Sequence, residues 1–267
     1  MALILTHFFS QALTECSSMY VAVPLRTAAS GSASDDPDGS PARPVRFPVL
    51  WLLPPLGQDH TAWLRHTDPE ELAETYHLLV AMPDLKLSFG LSMVHGYDYF
   101  RLLTEELPAL LGNMFPADLS MQWIAGAEEG AYAAVMAALR CPAQYRGCLA
   151  LSGGSLTDET IPAGQTAVYA NAFGTGNMAE LQGTPYDLHY WLTKPESKPA
   201  APAHTHASPD ITVSFRQGDR LQVSAARLSD AVSRAGAGQA MILPGAGPCR
   251  FSDWEKALRE FLPDSPL

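Results

Sequence analysis

Apolar runs and helix-like stretches alternate along most of the chain. The longest apolar run, at 45–53 (VRFPVLWLL), is typical of a strand buried on both faces of a parallel sheet. Strands are predicted at 2–9, 18–24, 45–53, 78–82, 120–125, 146–151, 211–215 and 240–243. Helices are predicted at 68–76, 97–115, 130–139, 187–192, 221–234 and 252–261. This alternation predicts an α/β fold with a mostly parallel central sheet and helices on both faces.

Two segments interrupt the alternation. The stretch 27–44 consists largely of Ser, Gly, Ala, Asp and Pro, which predicts a flexible loop. The stretch 153–209 is long, irregular and rich in Gly and Pro, which predicts a cap-like insertion. With 267 residues, 47% of them hydrophobic, the chain is large enough for one core, so we expect a single domain over 1–267.

The charge and the cysteines of the chain limit which binding partners and which cellular compartment we expect. The net charge is −11 and no run of Lys or Arg occurs, so neither nucleic acid nor a membrane surface is an expected partner. Residues 1–14 lack a basic segment that would begin an export signal. The cysteines are far apart and form no C-x-x-C pair: Cys16, Cys141, Cys148 and Cys249. We therefore expect free thiols, a cytoplasmic protein and no zinc site.

Five segments resemble the esterase D family, which includes S-formylglutathione hydrolases and bacterial tributyrin or acetyl esterases. They are 52–63 (LLPPLGQDHTAW), 95–108 (HGYDYFRLLTEELP), 126–134 (GAEEGAYAA), 173–188 (FGTGNMAELQGTPYDL) and 254–262 (WEKALREFL). The resemblance keeps the same order and covers nearly the whole chain, from 1–10 (MALILTHFFS) to Leu262, with the loop at 27–44 and the stretch 194–208 outside it. The resemblance implies an α/β-hydrolase fold.

The same resemblance implies that the catalytic triad is degenerate. Family members carry a G-x-S-x-G nucleophile elbow, and this chain has GAEEG at 126–130, with Glu128 in the place of the serine. The family's histidine follows the last strand, where 245–249 reads GAGPC and the aligned residue is Cys249. The acid is retained as Asp219. The resemblance therefore predicts a triad position without an intact nucleophile or base.

The loop that would form the oxyanion hole is altered as well. Family members resemble His-Gly-Leu-Gly-Gly after the third strand, and this chain has Pro54, Pro55, Leu56, Gly57 and Gln58 there. Proline fixes φ and has no N–H, so Pro55 lacks the freedom of the glycine. The backbone N–H groups of Leu56 and Glu129 are the remaining candidate donors. A carboxylate at 128 would also oppose the negative charge that must develop during acyl transfer.

Other polar residues have simpler interpretations. Ser92 lies in GLSMV at 90–94, half of an elbow that lacks the final glycine, and Ser152 ends a strand. Neither is expected to be a nucleophile. His204 and His206 lie in a Pro/Ala-rich linker and could hold only an adventitious metal ion. No cofactor or metal is expected.

Two interpretations are open for the acidic pair Glu128 and Glu129, and two for Cys249. Glu128 and Glu129 are either a new acid–base pair or acids at a helix N-terminus, where the dipole favours an anion, and we favour the second. Cys249 is either a reactive thiol or a small space-filling side chain, and we favour the latter because Arg250 is the sole neighbouring cation in sequence.

Two function classes follow. The first is a catalytically inactive, esterase-like protein that keeps the cleft for a small acyl or ester ligand, or keeps a surface for a partner such as a second copy in a homodimer. The second is a weak or rewired carboxylic-ester hydrolase that uses Glu128, Asp219 or a water molecule.

Overall fold

The computed structural model describes residues 1–25, 45–193 and 209–263. Its strands are β1 (Ala2–Ser10), β2 (Glu15–Val23), β3 (Phe47–Leu53), β4 (Leu79–Pro83), β5 (Ala117–Ala127), β6 (Gly147–Leu151), β7 (Asp210–Gln217) and β8 (Gly238–Ala246). They form one sheet in the order β1-β2-β4-β3-β5-β6-β7-β8. The pairs β1–β2 and β2–β4 are antiparallel, and every later pair is parallel. The predicted mostly parallel sheet is confirmed.

Helices cover both faces of this sheet. They are α1 (Ala62–His66), α2 (Pro69–Tyr76), α3 (Tyr99–Arg101), α4 (Leu107–Met114), α5 (Glu129–Arg140), α6 (Thr166–Phe173), α7 (Leu188–Thr193), α8 (Gln222–Arg234) and α9 (Phe251–Phe261). A short π-helical segment, Leu102–Glu106, joins α3 to α4. None of the helices in the described ranges is long and apolar enough to cross a membrane.

The sheet separates two hydrophobic cores. Alternate residues of β3 point to opposite faces, so Trp51 and Leu53 join one core while Leu50 and Leu52 join the other. The first core includes α4, α5, α6 and α8, and the second includes α1, α2 and α9. Residues 129–138 of α5 are all buried.

Besides the short helix α1 (Ala62–His66), which was not predicted, two regions differ from the sequence prediction. The helix predicted at 97–115 begins only at Tyr99, after Asp98 accepts a hydrogen bond from the Arg101 N–H, and it widens to a π-helix at its centre. The widened turn leaves Glu106 to accept hydrogen bonds from Ser10 Oγ at 2.6 Å and the Ala12 N–H at 2.7 Å. Ser10 and Glu106 are 96 residues apart, so no local sequence pattern predicts this contact.

The region predicted to be an irregular insertion contains more helix than expected. Between residues 153 and 193 the chain forms α6, α7 and two 3-10 turns, Leu156–Asp158 and Met178–Leu181. The helix predicted at 187–192 is confirmed as α7. The loop predicted at 27–44 and the remainder of the insertion at 194–208 lie outside the described residues.

Candidate active site

Glu128 occupies a sharp turn between a strand and a helix. It is the single residue between the end of β5 at Ala127 and the start of α5 at Glu129, with φ 52° and ψ −115°. Residues with a Cβ rarely adopt such a conformation, so the turn is held by its surroundings. The Glu128 N–H donates to the Leu151 carbonyl at 2.8 Å, and its carbonyl accepts from the Ala131 N–H at 3.1 Å. Residue 128, which the family resemblance assigns to the elbow, therefore has the positive φ of a tight strand-to-helix turn.

The glycines on either side of Glu128 permit this turn. A Cβ built on Gly126 would lie 2.1 Å from the Gly130 carbonyl oxygen, and one on Gly130 would lie 2.4 Å from the Pro54 carbonyl oxygen. A Cβ on Gly153, after β6, would lie 2.3 Å from the Glu128 carbonyl oxygen. The backbones of three segments therefore meet at the elbow at distances that only glycine allows.

The carboxylate of Glu128 is paired with an arginine. Nη2 of Arg220 lies 3.3 Å from Glu128 Oε2 and 3.0 Å from Glu129 Oε1. The Glu129 side chain is only 6% exposed, so the ion pair with Arg220 lies partly out of water. Burial raises the pKa of Glu128, Arg220 opposes that rise, and Glu129 adds to it. Glu128 makes no capping hydrogen bond to α5, so the expected role at the helix N-terminus is replaced by an ion pair.

Asp219 and Cys249 converge beside the elbow from two later segments. Asp219 follows β7 and accepts a hydrogen bond from the Arg220 N–H at 2.8 Å. The Cys249 thiol, which follows β8, lies within hydrogen-bonding reach of the Asp219 carboxylate and the Ser152 hydroxyl. Burial and the neighbouring Asp219 charge raise the pKa of Cys249 to about 11. The thiol is therefore protonated near neutral pH and is a poor nucleophile.

Arg216 holds the loop that carries Cys249. Its Nε donates to the Gly247 carbonyl at 2.9 Å and its Nη1 to the Pro244 carbonyl at 3.4 Å. Its Nη2 donates to the Pro248 carbonyl and pairs with Asp253 of α9 at 3.1 Å. One guanidinium thus ties three carbonyls of a glycine-rich loop to the next helix. Arg216, and not Arg250 as expected, is the cation that acts on the pKa of Cys249.

The loop at 54–58 packs against the first turn of α5. The Gln58 N–H donates to the Pro55 carbonyl at 3.1 Å, and Gly57 has φ +77°. A narrow cleft separates this loop from α5, lined by Pro54, Leu56, Leu85, Lys86, Phe89, Gly90, Glu129, Gly130 and Ala133. The loop and the start of α5 are therefore close neighbours, with the Pro54 carbonyl against Gly130.

Comparison with known proteins identifies the family. The profile of the family described as "Putative esterase" matches residues 36–235, which is most of the chain. The chain belongs to this esterase family. A curated relative, the S-formylglutathione hydrolase of Paracoccus denitrificans (strain Pd 1222), is 30% identical over 127 residues. That match covers 39% of this chain and 46% of the relative, so it spans less than half of the relative's length.

Solved structures of serine hydrolases share the fold of this esterase-family protein. FphF, a fluorophosphonate-binding serine hydrolase of Staphylococcus aureus, superposes with a TM-score of 0.79 at 21% identity, over 98% of this chain and 96% of that chain. The S-formylglutathione hydrolase FrmB of the same organism gives 0.77 at 22% identity, over 98% and 97%. The Agrobacterium tumefaciens S-formylglutathione hydrolase gives 0.68 at 18%, over 98% and 95%. The predicted α/β-hydrolase fold is confirmed.

The two serines set aside in the sequence of this esterase-family protein have structural partners. Ser92 Oγ donates to Asp98 Oδ1 at 2.5 Å, next to the start of α3. Ser152 is buried, has φ 52°, and accepts a hydrogen bond from Trp254 Nε1 at 2.8 Å. Within the described ranges neither serine is hydrogen-bonded to a histidine.

Arg216 and Arg220 are the functional candidates that the sequence did not reveal. Both lie within three residues of Asp219, and that proximity was the one available signal. Within the described part of the chain, no three His, Cys, Asp or Glu side chains group as metal ligands would. His204 and His206 lie outside that part.

Proposed function

We propose that this esterase-family protein is a catalytically inactive, esterase-like protein that keeps the hydrolase fold and cleft for binding. The proposal rests on which residue occupies the elbow. The position from which a nucleophile would attack holds Glu128, and its carboxylate is paired with Arg220 at 3.3 Å. No hydroxyl or thiol is presented from that turn.

A carboxylate at the elbow is badly suited to acyl transfer. Acyl transfer requires a nucleophile that is activated as it attacks, and it places negative charge on the substrate oxygen in the transition state. Glu128 is a weak nucleophile toward unactivated esters, and its charge adds to that of Glu129 beside it. Arg220 neutralises only part of this charge, because one guanidinium serves two carboxylates.

The position of the general base supports the same proposal. A general base must accept a proton near the working pH and return it later in the reaction. Cys249 has a pKa of about 11, so the thiol is already protonated at neutral pH. Asp219 therefore has no imidazole to orient. Asp219 lies beside Cys249, while the side chains at both proton-transfer positions, 128 and 249, differ from those of the family.

The curated relative indicates a ligand class for the site around the elbow. We propose an acyl compound or ester as its ligand, because the curated relative is named for a hydrolase of the S-formyl ester of glutathione. Arg220, Glu128 and Asp219 lie together at the elbow, outside the lining of the narrow cleft between the loop at 54–58 and α5. Cysteines 16, 141, 148 and 249 are free thiols, which supports a place in the reducing cytoplasm.

Ester turnover tests the proposal directly. The purified chain should hydrolyse p-nitrophenyl acetate, p-nitrophenyl butyrate and S-formylglutathione no faster than buffer does, and a fluorophosphonate should leave it unlabelled. Turnover of order 1 per second, within the ordinary enzyme range, would overturn the proposal if Glu128→Gln abolished it. An adduct on Ser92 or Ser152, located by mass spectrometry, would overturn the assignment of those serines as structural.

One observation favours a rewired hydrolase as the second candidate. Burial raises the pKa of Glu128, which brings a carboxyl at the elbow closer to the range where it could take a proton from water. In that case wild-type protein would show slow hydrolysis, and both Glu128→Gln and Asp219→Asn would reduce it. Equal background rates in all three proteins would instead favour the inactive protein.

A further inference from the structure

A pocket lies at the amino ends of β6, β7 and β8, on the face of the sheet that carries α9. Its volume is about 510 Å³, within the range of sites that hold small molecules. Gly147 and Asp210, the first residues of β6 and β7, belong to its wall, as does Phe261 at the end of α9. Asp219 and Cys249 follow the carboxyl ends of β7 and β8, so the pocket is separate from the candidate active site.

Trp123 lines this pocket and has an indole N–H without an acceptor. The chain has five tryptophans, and the other four donate Nε1 to an oxygen: Trp51 to Gln122, Trp63 to the Leu53 carbonyl, Trp191 to the Pro185 carbonyl and Trp254 to Ser152. Trp123 is only 9% exposed, and within the described residues its Nε1 has no hydrogen-bond partner. Because a buried indole N–H is normally paired, Trp123 offers an unused donor to the pocket.

Gly147 leaves this donor open. A Cβ built on Gly147 would lie 3.3 Å from Trp123 Nε1 and 3.0 Å from both Trp123 Cδ1 and Phe261 Cζ. Any side chain at 147 would therefore cover the indole N–H and displace the two rings. With glycine there, the edge of the indole stays in contact with the pocket.

A buried hydroxyl lines the same pocket. Thr212 of β7 is 3% exposed, and in the described part of the chain its Oγ1 forms no hydrogen bond. Unlike Ser214 Oγ on the same strand, this oxygen is not enclosed by protein atoms. The hydroxyl can donate or accept, whereas the Trp123 indole can only donate. Two buried polar groups without partners in one pocket indicate a ligand that supplies those partners.

The remaining wall is apolar, and the rim is acidic. Met121, Met241 and Phe261 are half-buried against the second core, and thioether and aromatic side chains pack well on a flat ring. Asp210 and Glu260 lie at the rim, where both are exposed. Neither forms an ion pair with any residue that the structure describes. Their carboxylates are therefore available to a ligand.

The charge of the rim favours a cationic group. Arg146 is the single cation among the described residues of the pocket wall, and its Nε donates to the Ser120 carbonyl at 3.1 Å. Two carboxylates outnumber this one guanidinium, and the whole chain carries a net charge of −11. The field at the pocket mouth therefore attracts a positive group and repels an anion.

We propose that this pocket binds a small aromatic amide that carries a positively charged amino group. The amide oxygen accepts a hydrogen bond from the Trp123 N–H, and the Thr212 hydroxyl pairs with the same amide group. The aromatic ring packs on Met241 and Phe261, and the ammonium group faces the acids of the rim. The site uses no residue of the elbow, so it holds whether or not the chain hydrolyses esters.

4-(Aminomethyl)benzamide combines an amide, a ring and an amine, and it tests the proposal. A ligand of about eleven non-hydrogen atoms is expected to bind with a dissociation constant on the order of 0.1–5 mM. NMR of nitrogen-15-labelled protein follows the indole N–H signals, and Trp123→Phe identifies the signal of Trp123. Titration to about 20 mM should move that signal downfield until it saturates, because the N–H gains an acceptor. Benzamide lacks the amine and benzylamine lacks the amide, so each should bind at least ~3-fold more weakly.

Two variants test the polar contacts. Thr212→Val removes the hydroxyl at nearly equal volume, and Asp210→Asn removes one charge of the rim. Each should raise the dissociation constant at least ~3-fold. The matched control is Asp230→Asn, which removes the same charge from an exposed position on α8, on the other face of the sheet. It should leave the dissociation constant unchanged.

Three outcomes would overturn the proposal: a Trp123 signal that stays in place over the whole titration, an affinity for benzamide or benzylamine equal to that for the parent compound, or equal effects of Asp230→Asn and Asp210→Asn. Circular dichroism checks that each variant is folded. If Thr212→Val is not, Asp210→Asn decides the question, because Asp210 is exposed.

Discussion

At the residue scale, Glu128 is governed by two opposing effects. Burial favours its neutral form, while Arg220 favours the charged form, and the net result is a raised pKa. The residue was identified from its place in a glycine-framed turn. Its partner was not, because Arg220 lies far along the chain from the elbow: it is 91 residues from Glu129.

The raised pKa of Glu128 gives a pH dependence of stability with a definite sign. An acid whose pKa is raised on folding stabilises the native state below its unfolded value, 4.5 here, and that contribution is lost as pH rises through the folded value. The free energy of unfolding of wild type relative to Glu128→Gln should therefore fall as pH increases above about 4.5. Urea denaturation of both proteins between about pH 4 and 8 measures this difference. A difference that grows with pH would contradict the assignment.

Cys249 should be an unreactive thiol. A pKa of about 11 leaves only about one thiolate in a thousand at pH 8, so iodoacetamide should alkylate Cys249 at least ~50-fold more slowly than exposed Cys16. Asp219→Asn removes a charge that raises this pKa, so it should speed the reaction at Cys249 and leave Cys16 unchanged. Quantitative mass spectrometry of the alkylated peptides gives both rates. Alkylation of Cys249 as fast as Cys16 would contradict the burial of the thiol.

At the element scale, the strand–turn–helix unit from β5 to α5 depends on close backbone contacts. Glu128 is the only residue between β5 and α5. The loop at 54–58 and the residues after β6 pack closely around this turn. The glycine pattern at 126–130 predicts the turn. The pattern does not show that Pro54 and Gly153 pack against the turn.

Gly130→Ala should therefore destabilise the protein strongly. The new methyl group would lie 2.4 Å from the Pro54 carbonyl oxygen, so loop and helix must separate, at a cost of about 3 kcal/mol in the free energy of unfolding. Gly164→Ala is the control. It has φ +82° and no atom within 4 Å of the added methyl, so only backbone strain of about 1 kcal/mol is expected. Thermal or urea unfolding measures both, and equal costs would contradict the close packing at the elbow.

Most elements could be predicted from sequence, and the exceptions have physical reasons. The strands carry strong apolar runs, and each one is found within a few residues of its predicted position. α6 was missed because it is short and because its helical state depends on burying Tyr169 and Phe173 against Phe89. The π-helical segment was missed because local periodicity does not distinguish it from an α-helix; its last residue, Glu106, contacts the β1–β2 hairpin far away in sequence.

At the scale of the whole molecule, the carboxyl ends of β5, β7 and β8 bring together the elbow, the acid and the base position. If this arrangement of strand ends is intact, replacing the side chains on it should restore ester hydrolysis. The combined variant Glu128→Ser, Cys249→His, Pro54→His and Pro55→Gly should hydrolyse p-nitrophenyl acetate at least ~10-fold faster than wild type, because Asp219 can then orient an imidazole.

The matched control adds Asp219→Asn to that variant and should lose the gained activity. Activity that survives the loss of Asp219 would show that the acid is not part of the restored site. A folded combined variant without activity would show that side chains alone do not explain the proposed inactivity, and that the loop at 54–58 or the Arg220 pair also blocks the cleft.

The sequence by itself determined the alternation of strands and helices, the strained turn at Glu128, and the absence of a serine and a histidine at 128 and 249. These properties are local, because periodicity, glycine spacing and residue identity need no knowledge of distant contacts. The tertiary structure alone decided that Arg220 pairs with both Glu128 and Glu129, that Arg216 holds the Cys249 loop, and that β1 is left at an open edge. Each of these depends on which strands become neighbours, and parallel strands joined by long crossovers bring together groups that no local pattern connects.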